Sequence, residues 1–339
     1  MTRLADHTTL RVGGEAKEFF VAHSEEELIH LVTEADTAGT PLLILGGGSN
    51  ILVADQGFNG RVIKVASKGI DEATDACSGG LITVQAGEDW DSFVSWAIDR
   101  GFVGLETLAG IPGTVGAAPI QNIGAYGHEV SEVIARVRTF DRQEKQVKTF
   151  AVSDCDFGYR SSLFKREVDR YLILDVAFQM KQGELSLAIQ YQELADHLGV
   201  QLGDRAPIGA VREGVIALRR RKGMVLDASD RDTWSAGSFF TNPVIKREEK
   251  ESLPNGAASW PLPSGDVKVS AAWLIENAGI SKGQELGGAA ISSKHVLAIT
   301  NKKSATAKDI HDLATRCKDA VREEFEIELE SEVRLFGSF

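Results

Sequence analysis

Residues 41–55 read PLLILGGGSNILVAD, and this stretch decides how the N-terminal part of the chain is expected to fold. Leu42–Leu45 is a short apolar run of the kind that forms a buried strand. Three glycines, Gly46–Gly48, follow it directly, and a second apolar run, Ile51–Val53, comes two residues later. The sequence therefore predicts two strands joined by a glycine loop.

The glycine loop is expected to bind phosphate groups of a nucleotide. Glycine loses more backbone freedom on folding than any other residue, so three in a row favour a close approach to the backbone. N–H groups with no Cβ beside them form a nest for phosphate oxygens, and Ser49 and Asn50 add side-chain hydrogen-bonding groups. The alternative is a tight turn, for which one glycine would suffice. The loop has neither the Gly-Lys-Ser/Thr of a P-loop nor a G-x-G-x-x-G that opens a helix.

The composition of the chain excludes several classes of protein. With 339 residues, 43% of them apolar and 25% charged, the chain has ample core for two or three domains. No apolar run approaches the ~20 residues of a membrane span, and the N-terminal residues MTRLADHTTLRV lack the apolar core of a signal peptide. A net charge of −12 argues against general nucleic-acid binding. We expect a cytoplasmic protein that binds neither membranes nor nucleic acids.

The three cysteines, Cys77, Cys155 and Cys317, fit a reduced cytoplasmic protein. They lie far apart in the sequence and no pair has metal-ligand spacing, so no metal site is expected. Cys317 falls on the apolar face of a helix predicted over residues 306–325. We therefore expect it in the core and not in catalysis.

The periodicity of apolar residues predicts a mixture of helices and strands, so the expected fold class is α+β. Helices are predicted over 24–38, 89–100, 207–221, 271–278 and 306–325. Strands are predicted over 16–22, 61–65, 81–87, 171–180, 296–300 and 327–336, a hairpin over 135–150, and a strand turning into a short helix over 186–199. In the last strand, alternation places Ile327, Leu329, Val333 and Leu335 on one face.

Residues 104–127, GLETLAGIPGTVGAAPIQNIGAYG, form a long apolar loop rich in glycine and almost without charge. Solvent-exposed linkers are polar, so this segment is not a linker. Loops of this length are usually functional or buried against another surface. We expect a second contact with a phosphate or a ring around Gly110–Gly116, and the alternative is a packed structural loop.

Three further features of the sequence are candidates for a binding site. Arg219–Lys222 is the densest positive cluster in an acidic chain, and it is either a solvated helix end or a contact for an anion. Arg160 lies between Phe157 and Phe164, which favours a fixed pose over the usual surface position. Ser238 is flanked by glycine and phenylalanines outside any G-x-S-x-G motif, so a serine hydrolase is not expected.

Five segments in order resemble the UDP-N-acetylenolpyruvoylglucosamine reductase family. The resemblance runs from Thr9-Leu10-Arg11-x-Gly13-Gly14 to Glu332-Val333-Arg334 and covers nearly the whole chain. The segment near Tyr191 is similar to the longer branch of the family, in which an inserted piece covers the substrate. The five segments are LGGGSN (45–50), IPGTVGAAPIQNIGAYG (111–127), FGYRSSLFK (157–165), GSFFTNPV (237–244) and LESEVR (329–334).

The resemblance implies NADPH-dependent, FAD-mediated reduction of UDP-N-acetyl-3-O-(1-carboxyvinyl)-glucosamine to UDP-N-acetylmuramate in peptidoglycan precursor synthesis. It implies non-covalent FAD in a two-subdomain module of the vanillyl-alcohol-oxidase/PCMH type, followed by a C-terminal α+β substrate-binding domain. Apart from the resemblance, we expect a monomer. The expected boundaries are 1–66 for the first FAD subdomain, completed by the C-terminal strand 327–339, then 67–204 for the second subdomain and 205–326 for the substrate domain.

The matching motifs also imply which residues form the site. The three catalytic positions fall on Arg160, Ser238 and Glu332. The positions that bind FAD fall on Gly46, Gly47, Gly48, Ser49, Asn50, Ile111, Pro112, Gly113, Thr114, Gly116, Ala118 and Ile120. The positions that contact the substrate fall on Tyr126, Tyr191, Lys222, Asn242 and His295. Other members carry glutamine at the position of His295, and some carry two serines where this chain has Ala117-Ala118.

The chemistry of that reaction accounts for the three catalytic residues. Hydride delivered to the terminal carbon of the enol ether pushes electrons toward the carboxylate, where Arg160 can stabilise the charge. The adjacent carbon then needs a proton, which Ser238 can give, with Glu332 orienting the intermediate or supplying the proton through the serine. Lys222 and its arginine neighbours suit the UDP diphosphate.

Two other functions remain open from the sequence. An FAD-dependent oxidase of a small alcohol or sugar often carries a histidine linked covalently to the flavin, and residues 46–50 and 110–118 contain none. A non-catalytic nucleotide-sugar sensor would not need Arg160, Ser238 and Glu332 together.

Overall fold

The computed structural model describes residues 2–75, 79–262 and 264–339. These residues form two compact units, each of which combines helices with strands, so the expected α+β class is confirmed. The first unit consists of three stretches of the chain, Met1–Ala16, Gly48–Asn59 and Lys222–Phe339. The second unit consists of Lys17–Gly47 and Gly60–Arg221.

Helices and strands alternate irregularly along the chain. The α-helices are α1 (Glu25–Ala38), α2 (Trp90–Asp99), α3 (Ala118–Gln121), α4 (Leu163–Arg166), α5 (Gln192–Leu198), α6 (Ile208–Arg221), α7 (Arg247–Ser252), α8 (Ala271–Asn277) and α9 (Ala307–Phe325). The strands are β1 (Thr2–Arg3), β2 (Glu15–Ala22), β3 (Leu42–Leu45), β4 (Ile51–Val53), β5 (Phe58–Val65), β6 (Ile70–Asp75), β7 (Gly79–Gln85), β8 (Phe102–Val103), β9 (Gly124–Ala125), β10 (His128–Glu129), β11 (Ile134–Asp141), β12 (Gln146–Ala151), β13 (Tyr171–Gln182), β14 (Ser235–Ser238), β15 (Val244–Ile245), β16 (Ser259–Pro261), β17 (Val267–Val269), β18 (Glu285–Leu286), β19 (Ala289–Ile291), β20 (Ala298–Asn301) and β21 (Arg334–Phe336).

The second unit is organised around an antiparallel sheet with the strand order β12-β11-β13-β7-β6. The central strand β13 pairs with β11 on one side and with β7 on the other. Residues 172–178 of β13 are all buried, so both faces of the sheet are covered there. Helix α2 packs Phe93 against Phe178 of β13, with ring centroids 4.9 Å apart.

The predicted start of this unit, a strand, a helix and a strand, is confirmed. The Ser24 side chain caps α1 by accepting the N–H of Glu27 at 3.2 Å, and Gly39 ends the helix with a φ of 65°. Strand β3 then runs parallel to β5, with Leu42 opposite Arg61. The glycine loop therefore leaves from the carboxyl end of a parallel strand, the edge at which open α/β sheets bind ligands.

The first unit is built from a sheet with the order β14-β20-β19-β18 and the long helix α9. The core of this unit also contains Leu10 and Leu52, which come from the two earlier stretches of the chain. The face of α9 predicted from the sequence is confirmed as buried, and it includes Ile310, Leu313, Ala314, Cys317 and Val321.

The N-terminus of α9 is capped twice. Thr306 Oγ1 accepts the N–H of Asp309 at 3.0 Å, and Asp309 accepts the N–H of Thr306 at 2.9 Å. Asp55, which follows β4, accepts the N–H groups of Ala307 and Lys308 at 2.7 and 3.1 Å. These bonds satisfy donors that an α-helix leaves unpaired at its start.

The strand predicted at the start of 186–199 is wrong, although the short helix that follows it is confirmed as α5. The N–H groups of Ser186 and Ile189 bond to the carbonyls of Ala206 and Asp204, each at 2.8 Å. The backbone of this segment is therefore satisfied by a neighbouring loop and not by a sheet.

The strand predicted over 327–336 is confirmed only at Arg334–Phe336, which pairs parallel with β4. Alternation holds as far as Val333, which is 3% exposed, but Leu335 is 43% exposed and not buried as expected. The neighbouring Phe336 turns toward Phe58, with ring centroids 6.3 Å apart. Pairing with β4 thus shifts the inward face by one residue.

Cys155 and Cys317 are buried, and burial raises the pKa of each thiol to about 12. Both thiols are protonated near neutral pH, and Cys317 is confirmed as a core residue. Cys77 lies outside the described residues. Within the described ranges, no helix combines the length and apolarity needed to cross a membrane, and no three His, Cys, Asp or Glu side chains are grouped as metal ligands.

Candidate active site

In the second unit, the first two glycines of the glycine loop lie against the loop that follows Gly110. A Cβ placed on Gly46 would lie 2.7 Å from Thr114 Oγ1, and one placed on Gly47 would lie 2.7 Å from Gly113 Cα. Neither distance is compatible with a real side chain. The two glycine-rich segments predicted to bind FAD are therefore in contact with each other, through the Thr114 side chain at Gly46 and backbone against backbone at Gly47.

The same contact leaves backbone donors available to a ligand. Within the described residues, the N–H groups of Gly47, Gly113 and Thr114 donate no hydrogen bond. Gly47 is exposed, and the other two residues are half-buried. Adjacent N–H groups without side chains in the way suit the oxygens of a diphosphate, so these residues fit an FAD phosphate.

The third glycine, Gly48, belongs to the first unit and has a different role. Its φ is 63°, and a Cβ there would lie 1.9 Å from the carbonyl oxygen of His7. The Gly48 carbonyl accepts the N–H of Thr9 at 3.1 Å. Thr9 Oγ1 is buried beside this contact and has no hydrogen-bond partner within the described residues. Gly48 is thus explained by its turn, while the hydroxyl of Thr9 is a buried polar group that lacks a hydrogen-bond partner.

The next residues connect the loop to the C-terminal segment. Asn50 Nδ2 donates to the carbonyl of Glu332 at 3.1 Å, and the Asn50 carbonyl accepts the N–H of Arg334 at 3.1 Å. Ser49 lies between Asn50 and the glycines and is half-buried. The side chain of Asn50 therefore fixes the segment that carries the predicted catalytic carboxylate.

Farther along the second loop, the predicted FAD residues pack against the sheet. The N–H of Gly116 donates to the carbonyl of Ala86 at 2.9 Å, and a Cβ on Gly116 would lie 2.6 Å from the Ala86 Cβ. Ala118 is 2% exposed, and Ile120 is half-buried. Ile111 and Pro112, at the start of this loop, are half-buried. Packing accounts for the small residues at 116 and 118.

Arg160 is held in a fixed pose, as the sequence predicts. Its guanidinium donates to the carbonyls of Gly124 and Asn122 at 2.6 and 3.3 Å. The Arg160 carbonyl accepts a hydrogen bond from Lys165 Nζ at 2.8 Å. The φ of Arg160 is 50°, a left-handed conformation that costs a residue with a side chain roughly 1–2 kcal/mol. Strain of this kind is typical of functional sites.

Arg219 is a residue that sequence reasoning did not single out within its cluster. It is half-buried, and its Nε donates to the carbonyl of Gly110 at 3.2 Å, whereas Arg220 and Arg221 are exposed. Burial lowers the pKa of Arg219, Tyr126 acts in the opposite direction, and the like charge of Arg160 lowers it further. The charges of Arg160 and Arg219 therefore act on each other, and the carboxylate of Asp91 is a nearby counter-charge to Arg219.

Tyr126 and Tyr191, both predicted to contact the substrate, lie together in the second unit. Their rings meet edge to face, with centroids 5.5 Å apart. Burial raises the pKa of Tyr126 to about 12, so its hydroxyl keeps its proton at neutral pH. Tyr191 is 40% exposed and directly precedes α5.

In the first unit, Ser238 lies at a bulge. Ser235 and Ser238 of β14 pair with Thr300 and Ala298 of β20, and the register shifts between them. The next residue, Phe239, is 1% exposed and donates its N–H to the carbonyl of Leu297 at 2.8 Å. Bulges re-aim side chains next to active sites, and this one presents Ser238 from a buried, fixed strand end.

Glu332 is brought to the same strand end. Its N–H donates to the carbonyl of Phe239 at 2.9 Å, and the N–H of Thr241 donates to the carbonyl of Glu330 at 3.1 Å. Two of the three predicted catalytic residues, Ser238 and Glu332, thus lie on adjacent hydrogen-bonded segments of the first unit. The third, Arg160, lies in the second unit.

His295 ends a turn that is fixed by a buried serine. Ser292 is 0% exposed, donates to Asp232 Oδ2 at 3.0 Å, and accepts the N–H groups of Lys294 and His295. His295 Nδ1 accepts the N–H of Leu297 at 3.1 Å, so that nitrogen carries no proton. After this turn the chain enters β20, whose Ala298 pairs with Ser238.

The remaining predicted substrate contacts, Asn242 and Lys222, lie in the first unit. Asn242 Oδ1 accepts the N–H of Ala271 at 2.9 Å, at the start of α8, so this oxygen holds the helix. Lys222 is half-buried and directly follows α6.

Family models match both parts of the chain. A model described as an FAD binding domain matches residues 16–149, and one described as the C-terminal domain of UDP-N-acetylenolpyruvoylglucosamine reductase matches residues 228–336. The chain is 50% identical over 337 residues to the UDP-N-acetylenolpyruvoylglucosamine reductase of Cutibacterium acnes, covering 98% of this chain and 89% of that protein. The chain belongs to the UDP-N-acetylenolpyruvoylglucosamine reductase family.

Further members of this reductase family match over nearly their full length. The reductase of Thermobifida fusca is 45% identical over 344 residues, covering 98% of this chain and 96% of that protein. The crystal structure of the reductase from Thermus caldophilus matches with a TM-score of 0.68 and 28% identity, covering 99% of this chain and 98% of that one. The expected FAD-binding module and reductase C-terminal domain are therefore confirmed, and FAD is the cofactor.

Proposed function

We propose that the chain catalyses the NADPH-dependent reduction of UDP-N-acetyl-3-O-(1-carboxyvinyl)-glucosamine to UDP-N-acetylmuramate in peptidoglycan precursor synthesis. Family membership over nearly the whole chain supports this reaction. The observation in the structure that carries it is the bulge that presents Ser238 beside the hydrogen-bonded segment of Glu332. A hydroxyl and a carboxylate on adjacent fixed segments suit the delivery of one proton.

The residues would divide the chemistry as follows. When bound, FAD would supply hydride from NADPH for the terminal carbon of the enolpyruvyl group, and the neighbouring carbon would need a proton. Arg160 would stabilise the negative charge that the double bond's electrons carry onto the substrate carboxylate. Ser238 would give its proton to the neighbouring carbon, and Glu332 would return a proton to the serine. The FAD residues of the two glycine-rich segments would position the cofactor.

We propose the substrate contacts on the basis of where the following residues lie in the structure. Tyr126 and Tyr191 form one aromatic pair, and His295 lies beside the strand that bears Ser238. Lys222 follows a basic helix end and suits the diphosphate. We further propose a monomer that works in the cytoplasm, because each unit has its own core and the buried Cys155 and Cys317 are free thiols, as in a reducing compartment. The division into two FAD subdomains and a substrate domain is likewise a proposal.

The decisive experiment measures the rates of the two half-reactions separately in the Ser238→Ala variant. Reduction of the flavin by NADPH needs no proton at a substrate carbon, so its anaerobic rate should stay near the wild-type value. Reoxidation by the enolpyruvyl nucleotide needs that proton and should slow by about 10²–10⁴-fold, which is what one acid–base group usually contributes. Ser238→Cys keeps an ionisable proton and should recover part of the rate. Equal slowing of both half-reactions would assign Ser238 a structural role.

A further inference from the structure

The hairpin formed by β9 and β10 carries Tyr126 at its tip. Tyr126 and Gly127 connect the two strands, with φ values of 51° and 93°. Two consecutive positive φ values are typical of a two-residue type I′ turn. The turn presents Tyr126 to Tyr191, which belongs to a different segment of the chain. The distance between the two rings therefore depends on what holds that segment to the hairpin.

His128 of the hairpin makes that connection. Its side chain is 3% exposed, with Nδ1 2.8 Å from Glu132 Oε2 and Nε2 3.0 Å from the carbonyl oxygen of Ala188. A carboxylate and a carbonyl only accept hydrogen bonds, so a doubly protonated ring donates to both and a neutral ring to one. Ala188 lies three residues before Tyr191, so this bond ties the hairpin to the segment that carries the second tyrosine.

Packing reinforces the same connection. A Cβ on Gly127 would lie 2.6 Å from the Gln190 Cβ, so the segment lies directly on the turn of the hairpin. Ile189 is 1% exposed, and its backbone bonds to Asp204 and Gly203 at 2.8 Å each. Residues 188–190 are thus held on one side by a loop and on the other by the hairpin.

The hairpin also supports Arg160. The guanidinium donates to the carbonyl of Gly124 in β9, and Asn122 Nδ2 donates to Glu129 Oε2 in β10 at 2.7 Å. One small hairpin is therefore the common support of the proposed catalytic arginine and of the tyrosine pair. His128 is the polar link on the tyrosine side.

We propose that His128 is a positioning residue for the nucleotide-sugar substrate. It fastens residues 188–191 to the hairpin and so sets the place of Tyr191 against Tyr126. This inference rests on the proposed function, because it takes the tyrosine pair as a substrate contact. It assigns His128 no part in the reduction of the flavin by NADPH.

The test uses the full-length holoenzyme with His128→Phe, which fills the site without donors, and His128→Gln, which keeps one amide donor. His128→Phe should raise KM for the enolpyruvyl nucleotide by about 10-fold, equivalent to about 1.4 kcal/mol. The rate of flavin reduction by NADPH should not change. His128→Gln should recover part of the affinity. His30→Phe, a substitution of an exposed histidine on α1, is the matched control and should leave both quantities unchanged.

A double-mutant cycle with Tyr191→Ala decides whether His128 acts through the tyrosine. If it does, His128→Phe has little further effect on KM in the Tyr191→Ala background. An equal effect in both backgrounds, or no effect of either His128 variant in the wild type, overturns the inference. Unfolding of His128→Phe would leave the decision to His128→Gln, measured in the same cycle. A wild-type protein that does not bind the nucleotide at all would overturn the proposed function instead.

Discussion

Position 47 requires glycine because any side chain there would collide with the neighbouring loop. Because the contact is with the backbone of Gly113, a methyl group would force the two glycine-rich segments apart and disturb the N–H groups between them. We expect Gly47→Ala to weaken FAD binding by about 10-fold or more, an effect of about 1.4 kcal/mol. The measurement is the dissociation constant for FAD added to the apoprotein.

The matched control for this prediction is Gly209→Ala in α6. A Cβ at Gly209 meets nothing within 4 Å, and alanine favours a helix over glycine by about 1 kcal/mol. This variant should bind FAD as the wild type does and be slightly more stable. If Gly47→Ala bound FAD as tightly as the wild type, the prediction would be wrong, because the two segments would then separate without a cost in free energy.

Lys222 and Arg220 distinguish a substrate contact from a solvated helix end. Arg220 is exposed at the end of α6, whereas Lys222 is half-buried at the start of the next stretch. Lys222→Ala should raise KM for the nucleotide sugar by about 10-fold, or about 1.4 kcal/mol, and more at low salt than at high salt. Arg220→Ala should change KM less than about twofold. Similar KM values for the two variants would assign the whole cluster to the helix end.

The sequence indicated the basic cluster but not which of its members turns inward. The buried residues Ile208, Val211 and Val215 of α6 follow a helical spacing that continues to Arg219. That spacing could have indicated, from the sequence alone, that Arg219 lies on the inward face of α6. The acceptor for Arg219 is a carbonyl at Gly110, however, and a contact between residues so far apart in the chain leaves no local pattern.

A single buried carboxylate fixes the turn between β11 and β12. Asp141 is 0% exposed and accepts hydrogen bonds from Lys148 at 2.9 Å, from Arg170 at 3.0 Å, and from two backbone N–H groups of the turn. Burial alone would raise the pKa of Asp141. The hydrogen bonds outweigh burial and hold the pKa well below its usual range.

Such a carboxylate stabilises the fold above its unfolded pKa of about 4 and loses that contribution as pH falls toward the folded pKa. Asp141→Asn should therefore lower the free energy of unfolding at pH 7 by about 3 kcal/mol, because two cations lose their buried partner. The difference from the wild type, measured by urea denaturation, should shrink below about pH 4. Asp71→Asn, at an exposed site on β6, should change little at either pH. A pH-independent loss would point to packing as the cause.

Helices were predictable because their signals are local. Ser24 and Thr306 occupy the cap positions that the sequence indicates, and the apolar faces of α1 and α9 follow the helical period. The strand over 327–336 was only partly predictable because its register depends on β4, which lies far earlier in the chain. Alternation in the sequence identified the inward face up to Val333 and could not anticipate the shift at Leu335.

The first unit depends on stretches of the chain that are distant in sequence. Residues 222–339 alone lack Leu10 and Leu52 of the core, the β4 partner of β21, and the Asp55 cap of α9. We expect this fragment, expressed by itself, to show helical circular dichroism without a cooperative thermal transition. The full-length protein is the control. A sharp transition and well-dispersed amide resonances from the fragment would contradict this expectation.

The division of the first unit along the chain also determines the order in which the two units can form during translation. The second unit has all of its residues once Arg221 has been synthesised, whereas β4 must wait for β21, which is among the last residues made. At about 5–20 residues per second, translation of the remaining third of the chain takes on the order of ten seconds. For that time Gly48–Asn59 has no completed unit to join, so the nascent enzyme holds an unpaired apolar strand that chaperones are suited to shield.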